Sequence, residues 1–146
     1  RVIVAQVEGS LDLCWRSEIG RPYPLHAGAA SRALLAFMPP LELDELLQDY
    51  IFEAYQPATP GTRDALNAEL ETVRRIGVAV SFGERVSGAG GVAAPVMNAA
   101  GVCEYSLSIY GPEHRIRPRV DELTETVRQA AARVSSSAIS DQGAIR

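Results

Sequence analysis

Two histidines and two cysteines are the side chains of this 146-residue chain best suited to nucleophilic or metal chemistry. His26 stands before an Ala-rich stretch, His114 sits in a charged turn, and Cys14 and Cys103 fall in separate apolar runs. A structural zinc site draws its ligands from close Cys/His clusters, and a zinc hydrolase displays H-E-x-x-H; neither pattern is present. A cysteine nucleophile needs a lowered pKa and a base at hand. No local motif joins a histidine to a thiol, so a His26–cysteine enzyme is a minor alternative, and both cysteines read as small core hydrophobes. His26 is read either as a structural group at a helix start or as part of a ligand-pocket wall. No catalytic residue, metal ligand or cofactor is assigned.

Other residues suit binding. Gly88, Ala89, Gly90 and Gly91 permit a tight turn or the close approach of a small ligand to backbone N–H groups. They lack the G-x-G-x-x-G order before a helix, and no P-loop lysine follows. Ser106, Ser108 and Tyr110 share one face of an expected strand while Leu107 and Ile109 share the other. That polar line is either a solvent face, which composition favours, or a pocket wall. Glu84 and Arg85 read as a solvated pair, with acid/base or anion-binding roles as the alternative.

These residues need elements to hold them. Val2–Glu8 and Leu11–Arg16 read as two strands joined through Gly9 and Ser10, and the prolines at 22 and 24 then break regular structure. Ala27–Phe37 is rich in helix formers and stops at Pro39 and Pro40, the latter suited to open a second helix with Leu43, Leu46, Leu47 and Tyr50 as its stripe. Thr62 is placed as the N-cap of a third helix carrying Leu66, Leu70, Val73 and Ile76, which Gly77 ends. Three strands follow, near 78–82, 91–97 and 102–110, and Pro95 predicts an edge or bulge in the middle one. Val120, Leu123, Val127, Ala130 and Val134 mark a long last helix. The order β-β-α-α-α-β-β-β-α has no repeated βαβ unit and predicts an α/β chain of the α+β type, a mostly antiparallel sheet flanked by helices.

Composition narrows the function. With 47% hydrophobic and 22% charged residues the chain is of one-domain size and too apolar for a disordered tail. Its net charge of −4 argues against direct nucleic-acid binding, and the run from His114 to Arg119 reads as a solvated helix entrance. No stretch approaches the roughly 18 apolar residues of a membrane span, and the start has no signal-peptide organisation. A cytoplasmic, membrane-free location is expected.

Three blocks bring a family into view: Pro24-Leu-His-Ala-Gly-Ala-Ala-Ser-Arg-Ala-Leu-Leu-Ala36; the Thr62–Gly77 segment preceded by Thr59; and Gly88-Ala-Gly-Gly-Val-Ala-Ala-Pro-Val-Met with Ser106-Leu-Ser-Ile-Tyr-Gly-Pro112. Their order and spacing resemble the C-terminal, effector-binding domain of IclR-type transcriptional regulators. The resemblance implies a GAF-like fold over residues 1–140, with 141–146 a frayed tail. It implies a homodimer or dimer of dimers that senses a small-molecule effector, a carboxylate being the leading class. DNA would be reached only through a winged helix-turn-helix that belongs ahead of Arg1 and is absent from these residues.

Carried across position by position, the resemblance assigns effector contacts to the backbone at Ala29 and Ala30, to Ala89, and to Ser108. Gly91 stands where acid-sensing members carry Cys, Ser81 where such a member carries Asp, and Tyr110 where a second Ser is found. Trp15, His26 and Met97 are candidate pocket walls. Arg32 replaces a family lysine and reads as a surface cation or ion-pair partner. The rival reading is an oligomerisation domain whose pocket is filled by Tyr110, Trp15 or Met97.

Overall fold

The computed structural model describes residues 1–9 and 15–143, with side chains through residue 137. Its elements run α1 (Ala29–Leu35), α2 (Pro40–Leu47), α3 (Arg63–Ile76), β1 (Ala79–Phe82), β2 (Ala89–Met97), β3 (Cys103–Pro112), α4 (Glu113–Ile116), a 3-10 turn (Arg117–Arg119) and α5 (Val120–Gly143). β1, β2 and β3 form one antiparallel sheet in that order. This is the α+β arrangement expected from the element pattern.

The first of the two opening strands is a correction. Val2–Glu8 forms no strand, and its one bridge among the described residues is Val2 with Pro22. Gly20 N–H donates to Ile3 O at 2.9 Å and Tyr23 N–H to Arg1 O at 2.8 Å, so the first residues lie along 20–23. Pro22 and Pro24 withhold donors there, and the ladder cannot grow. Trp15 and Arg16 are also outside any strand; Ser10 to Cys14 fall outside the described residues.

Helix boundaries follow local chemistry. Gly28, at φ 97°, turns the chain into α1, which is therefore shorter than the 27–37 expected. Pro40 occupies the first turn of α2, Thr62 Oγ1 caps α3 by accepting Ala65 N–H at 3.2 Å, and Gly77 closes α3 at φ 77°. The apolar stripes need small corrections. Leu43 and Leu47 are buried but Leu46 is exposed; Ile76 is exposed; and α5 buries Leu123, Val127 and Ala131 while Val134 faces out. α5 continues through Asp141, Gln142 and Gly143 into the expected tail.

Pro95 lies in the central strand, yet β1 ends opposite Ala93, so β2 has only β3 beside it at Pro95. The irregularity comes between Val96 and Met97. Side-chain alternation along β2 then divides the core. Val92, Ala94 and Val96 pack with Leu123, Val127, Ala131 and Ile116 on the α5 side. Ala93 joins Ala79, Leu66, Leu70, Val73 and the Ala-rich α1 on the other. In the run from His114 to Arg119, Arg117 pairs with Glu113 and lies 4.0 Å from the Phe82 ring centroid, and Arg119 pairs with Glu122. No described helix is long and apolar enough to cross a membrane.

Candidate functional site

Two rungs of the sheet floor the site. Ser81 pairs with Gly91 and Gly91 with Tyr110; two residues along, Ala79 pairs with Ala93 and Ala93 with Ser108. On the next rung Ser106 Oγ donates to Ala30 O at 3.0 Å, which fixes this face as the one toward α1. The Ser106–Ser108–Tyr110 line thus looks inward, against the solvent reading that composition favoured. Glycine and alanine at the centre leave a cavity of about 100 Å³ between α1 and the sheet. The structure brings Ala29, Ala30, Ser81, Ala89, Gly91, Ser108 and Tyr110 together around it, with Ile3, Trp15 and Ser17 closing it from the N-terminal segment.

Several polar atoms facing the cavity are already engaged. Ala29 N–H donates to Ser81 Oγ at 3.0 Å and Gly28 N–H to Glu84 Oε2 at 2.7 Å. Among the described residues Ala30 N–H has no acceptor and the Ser108 hydroxyl no partner. Ala89 N–H is taken by Val86 O at 3.1 Å, so Ala89 offers only its methyl. Tyr110 Oη donates to Gln6 Oε1 at 2.6 Å, an oxygen that also accepts Ser17 N–H at 3.0 Å. The Tyr110 ring is a wall, and its hydroxyl fastens the segment that covers the cavity.

Beneath the rim lies a buried charge network. Arg32 is 2% exposed and Glu84 8%, correcting both the surface reading of Arg32 and the solvated Glu84–Arg85 pair. Arg32 Nη2 meets Glu84 Oε1 at 2.8 Å and donates to Val80 O; Nη1 lies 3.3 Å from Glu69, and Nε is buried without a partner among the described residues. Burial pushes the Glu84 carboxyl above its ordinary value, while Arg32 and the Gly28 N–H pull the other way.

A family model described as bacterial transcriptional regulator IclR C-terminal matches residues 1–136. The chain belongs to that family. It is 37% identical to the HTH-type transcriptional regulator XynR of Escherichia coli over 66% of this chain, and 32% identical to KdgR of Dickeya chrysanthemi over 97%. It spans 38% and 45% of those two proteins. The crystal structure of an IclR transcriptional regulator from Alicyclobacillus acidocaldarius superposes with a TM-score of 0.85 at 25% identity, over 94% of this chain and 55% of that one. The antiparallel sheet with flanking helices is the GAF-like architecture of an IclR C-terminal domain.

Two of the wall candidates of this IclR domain lie away from the cavity. His26 is fully buried, with Nε2 donating to Glu53 O and Nδ1 accepting from Tyr50 Oη, each at 2.9 Å. Tyr50 Oη also accepts Leu25 N–H, so the histidine pins the 50–55 segment to the approach to α1. Met97 sits at the irregular end of β2 and Ser135 Oγ accepts its N–H. Trp15 does line the cavity. Cys103 is half-buried, and burial pushes its thiol up, away from nucleophilic character; Cys14 is outside the described residues. The described residues contain no group of three His, Cys, Asp or Glu able to hold a metal ion.

Sequence reasoning missed Arg1, and it missed that Arg85 lines this cavity. Both guanidiniums lie over the Tyr23 ring, at 5.1 and 4.5 Å from its centroid, and Arg1 Nε donates to Ser31 Oγ at 2.6 Å. Burial, then the charge of Arg85, lowers the Arg1 pKa. No contiguous pattern could have paired residues 84 positions apart.

Proposed function

We propose that this domain senses a small organic acid and transmits its occupancy to DNA-reading modules elsewhere in the intact regulator. The observation that carries the reading is the cavity between α1 and the sheet, floored by Ala89 and Gly91 and edged by polar groups at Ser108 and Ala30 that have no partner among the described residues. An apolar cavity of about 150 Å³ holds benzene; about 100 Å³ suits a short aliphatic acid better than an aromatic one. No bond is made or broken. Binding shifts DNA affinity only by favouring one arrangement of a homodimer, or dimer of dimers, over another.

Within the pocket, Ala30 N–H and Ser108 Oγ orient the ligand, while Ser81, already accepting from Ala29, keeps its own O–H to donate. Ala89, Gly91 and the Tyr110 ring set the available size. Calorimetry with a panel of short organic acids tests this: saturable binding is expected, and Ser108→Ala is expected to weaken it by about two- to tenfold, the loss of one hydrogen bond. The small volume left by Tyr110 and Trp15 favours a second reading, an oligomerisation domain with a filled pocket. Sedimentation showing an oligomer, together with no binding across the panel, would decide for that second reading.

A further inference from the structure

Resting on the pocket reading above, we infer that the carboxylate of the ligand is seated by Arg1 and Arg85, which both line the cavity, and not by the amides that open α1. Those amides are largely spent. The chain's own Glu84 takes Gly28 N–H and Ser81 takes Ala29 N–H, and a ligand carboxylate placed there would meet the buried Glu84 charge.

At Arg1 and Arg85 the balance is reversed. Two cations line one cavity and share one aromatic ring, and among the described residues neither has a carboxylate within ion-pair distance. Arg1 Nη2 lies 3.8 Å from where a Cβ on Gly28 would stand, ordinary contact distance, so the cation lies beside the turn into α1. The partners Arg1 does have, the Tyr23 ring and Ser31 Oγ, carry no formal negative charge, and its desolvation beside Arg85 costs energy. An anion relieves that repulsion, and a planar carboxylate matches the fork of N–H groups a guanidinium presents. Arg32, the third arginine near the site, is ion-paired with Glu84 and Glu69 and is not among the residues that line the cavity. The division of labour is direct: Arg32 neutralises the protein's own acid, and Arg1 with Arg85 waits for the ligand's.

Calorimetry with propionate, lactate, malate and glutarate, each beside its amide, tests the seat on the wild-type protein and on Arg85→Gln, Arg85→Lys and Ser108→Ala. The acids are expected to bind at least about tenfold tighter than their amides, the scale of a charge-assisted hydrogen bond. Arg85→Gln is expected to weaken the acids by about tenfold while leaving the amides unchanged, and Arg85→Lys to retain part of the preference. Ser108→Ala should weaken acid and amide alike. Acids that bind Arg85→Gln as tightly as wild type, yet lose affinity in Ser108→Ala, overturn the seat and leave the pocket standing. Amides that match the acids on wild type also overturn the seat. If no acid binds the wild type, the pocket reading falls and takes the seat with it.

Discussion

The two faces of one three-stranded sheet were built for different ends. Toward α5, β2 presents Val92, Ala94 and Val96 to Leu123, Val127 and Ala131, a cluster of apolar side chains. Toward α1, the alternate positions are Ala89, Gly91 and Ala93, and charge enters the core as Arg32 and Glu84. The same strand thus fills space on one side and withholds volume on the other. Gly91 marks the limit: a Cβ there would meet Ile109 O at 3.3 Å and Tyr110 Cβ at 3.4 Å. A binding cavity here is the product of side-chain subtraction on a single face, held open by a buried polar frame.

Breaking that frame should have the largest effect. Arg32→Met removes the main cation facing Glu84 and leaves a carboxylate 8% exposed with only the Gly28 amide. Removing one member of such a pair costs about 3–5 kcal/mol, whereas replacing both by apolar groups is often near neutral. Urea denaturation should therefore show a large loss for Arg32→Met and substantial recovery when Glu84→Leu is added. A loss below about 1 kcal/mol, well under that range, would mean that the network does not hold the α1 face together.

The α5 face should lose less, and without electrostatic signature. Leu123→Ala deletes a side chain packed against Val127 and the sheet and should cost about 2–4 kcal/mol, within the usual span for buried leucine. The same loss should be measured at low and high ionic strength, because no charge is unmasked. Acid binding in the cavity should be unchanged. A drop in ligand affinity would erase the distinction between the faces and show that the α5 side also shapes the site.

Much of this division was legible beforehand. Thr62 and Gly77 bound α3 through their capping chemistry, and the β2 and β3 positions follow from alternation and turn residues. What escaped was long-range. Whether the Ser106–Ser108–Tyr110 line faces water or protein depends on where α1 docks, and the bond from Ser106 to Ala30 spans 76 residues. Glu84 and Arg85, adjacent and opposite in charge, read as a pair; in the fold each turns to a different arginine-bearing surface, Glu84 to Arg32 and Arg85 to the ring shared with Arg1. The first opening strand failed because alternation in Val2–Glu8 announces a strand without supplying its neighbour.

The smallest effect is a pH signature confined to the α1 face. Glu84 is held above its ordinary value of 4.5, chiefly by burial, so the native state takes up this proton more readily than the unfolded chain. Its linked stability is fully present below 4.5 and is lost as pH rises through the elevated native value. The stability of wild type relative to Glu84→Gln should consequently improve as pH falls from neutrality toward the ordinary carboxylate range. Since Arg32 opposes the upward shift, the Arg32→Met background should steepen that trend, while Leu123→Ala should leave it untouched. Urea titrations across that window measure the difference directly. A flat wild-type-minus-Glu84→Gln profile would show that the carboxylate ionises as freely inside the α1 face as in water, and the contrast between the two faces would then be one of packing alone.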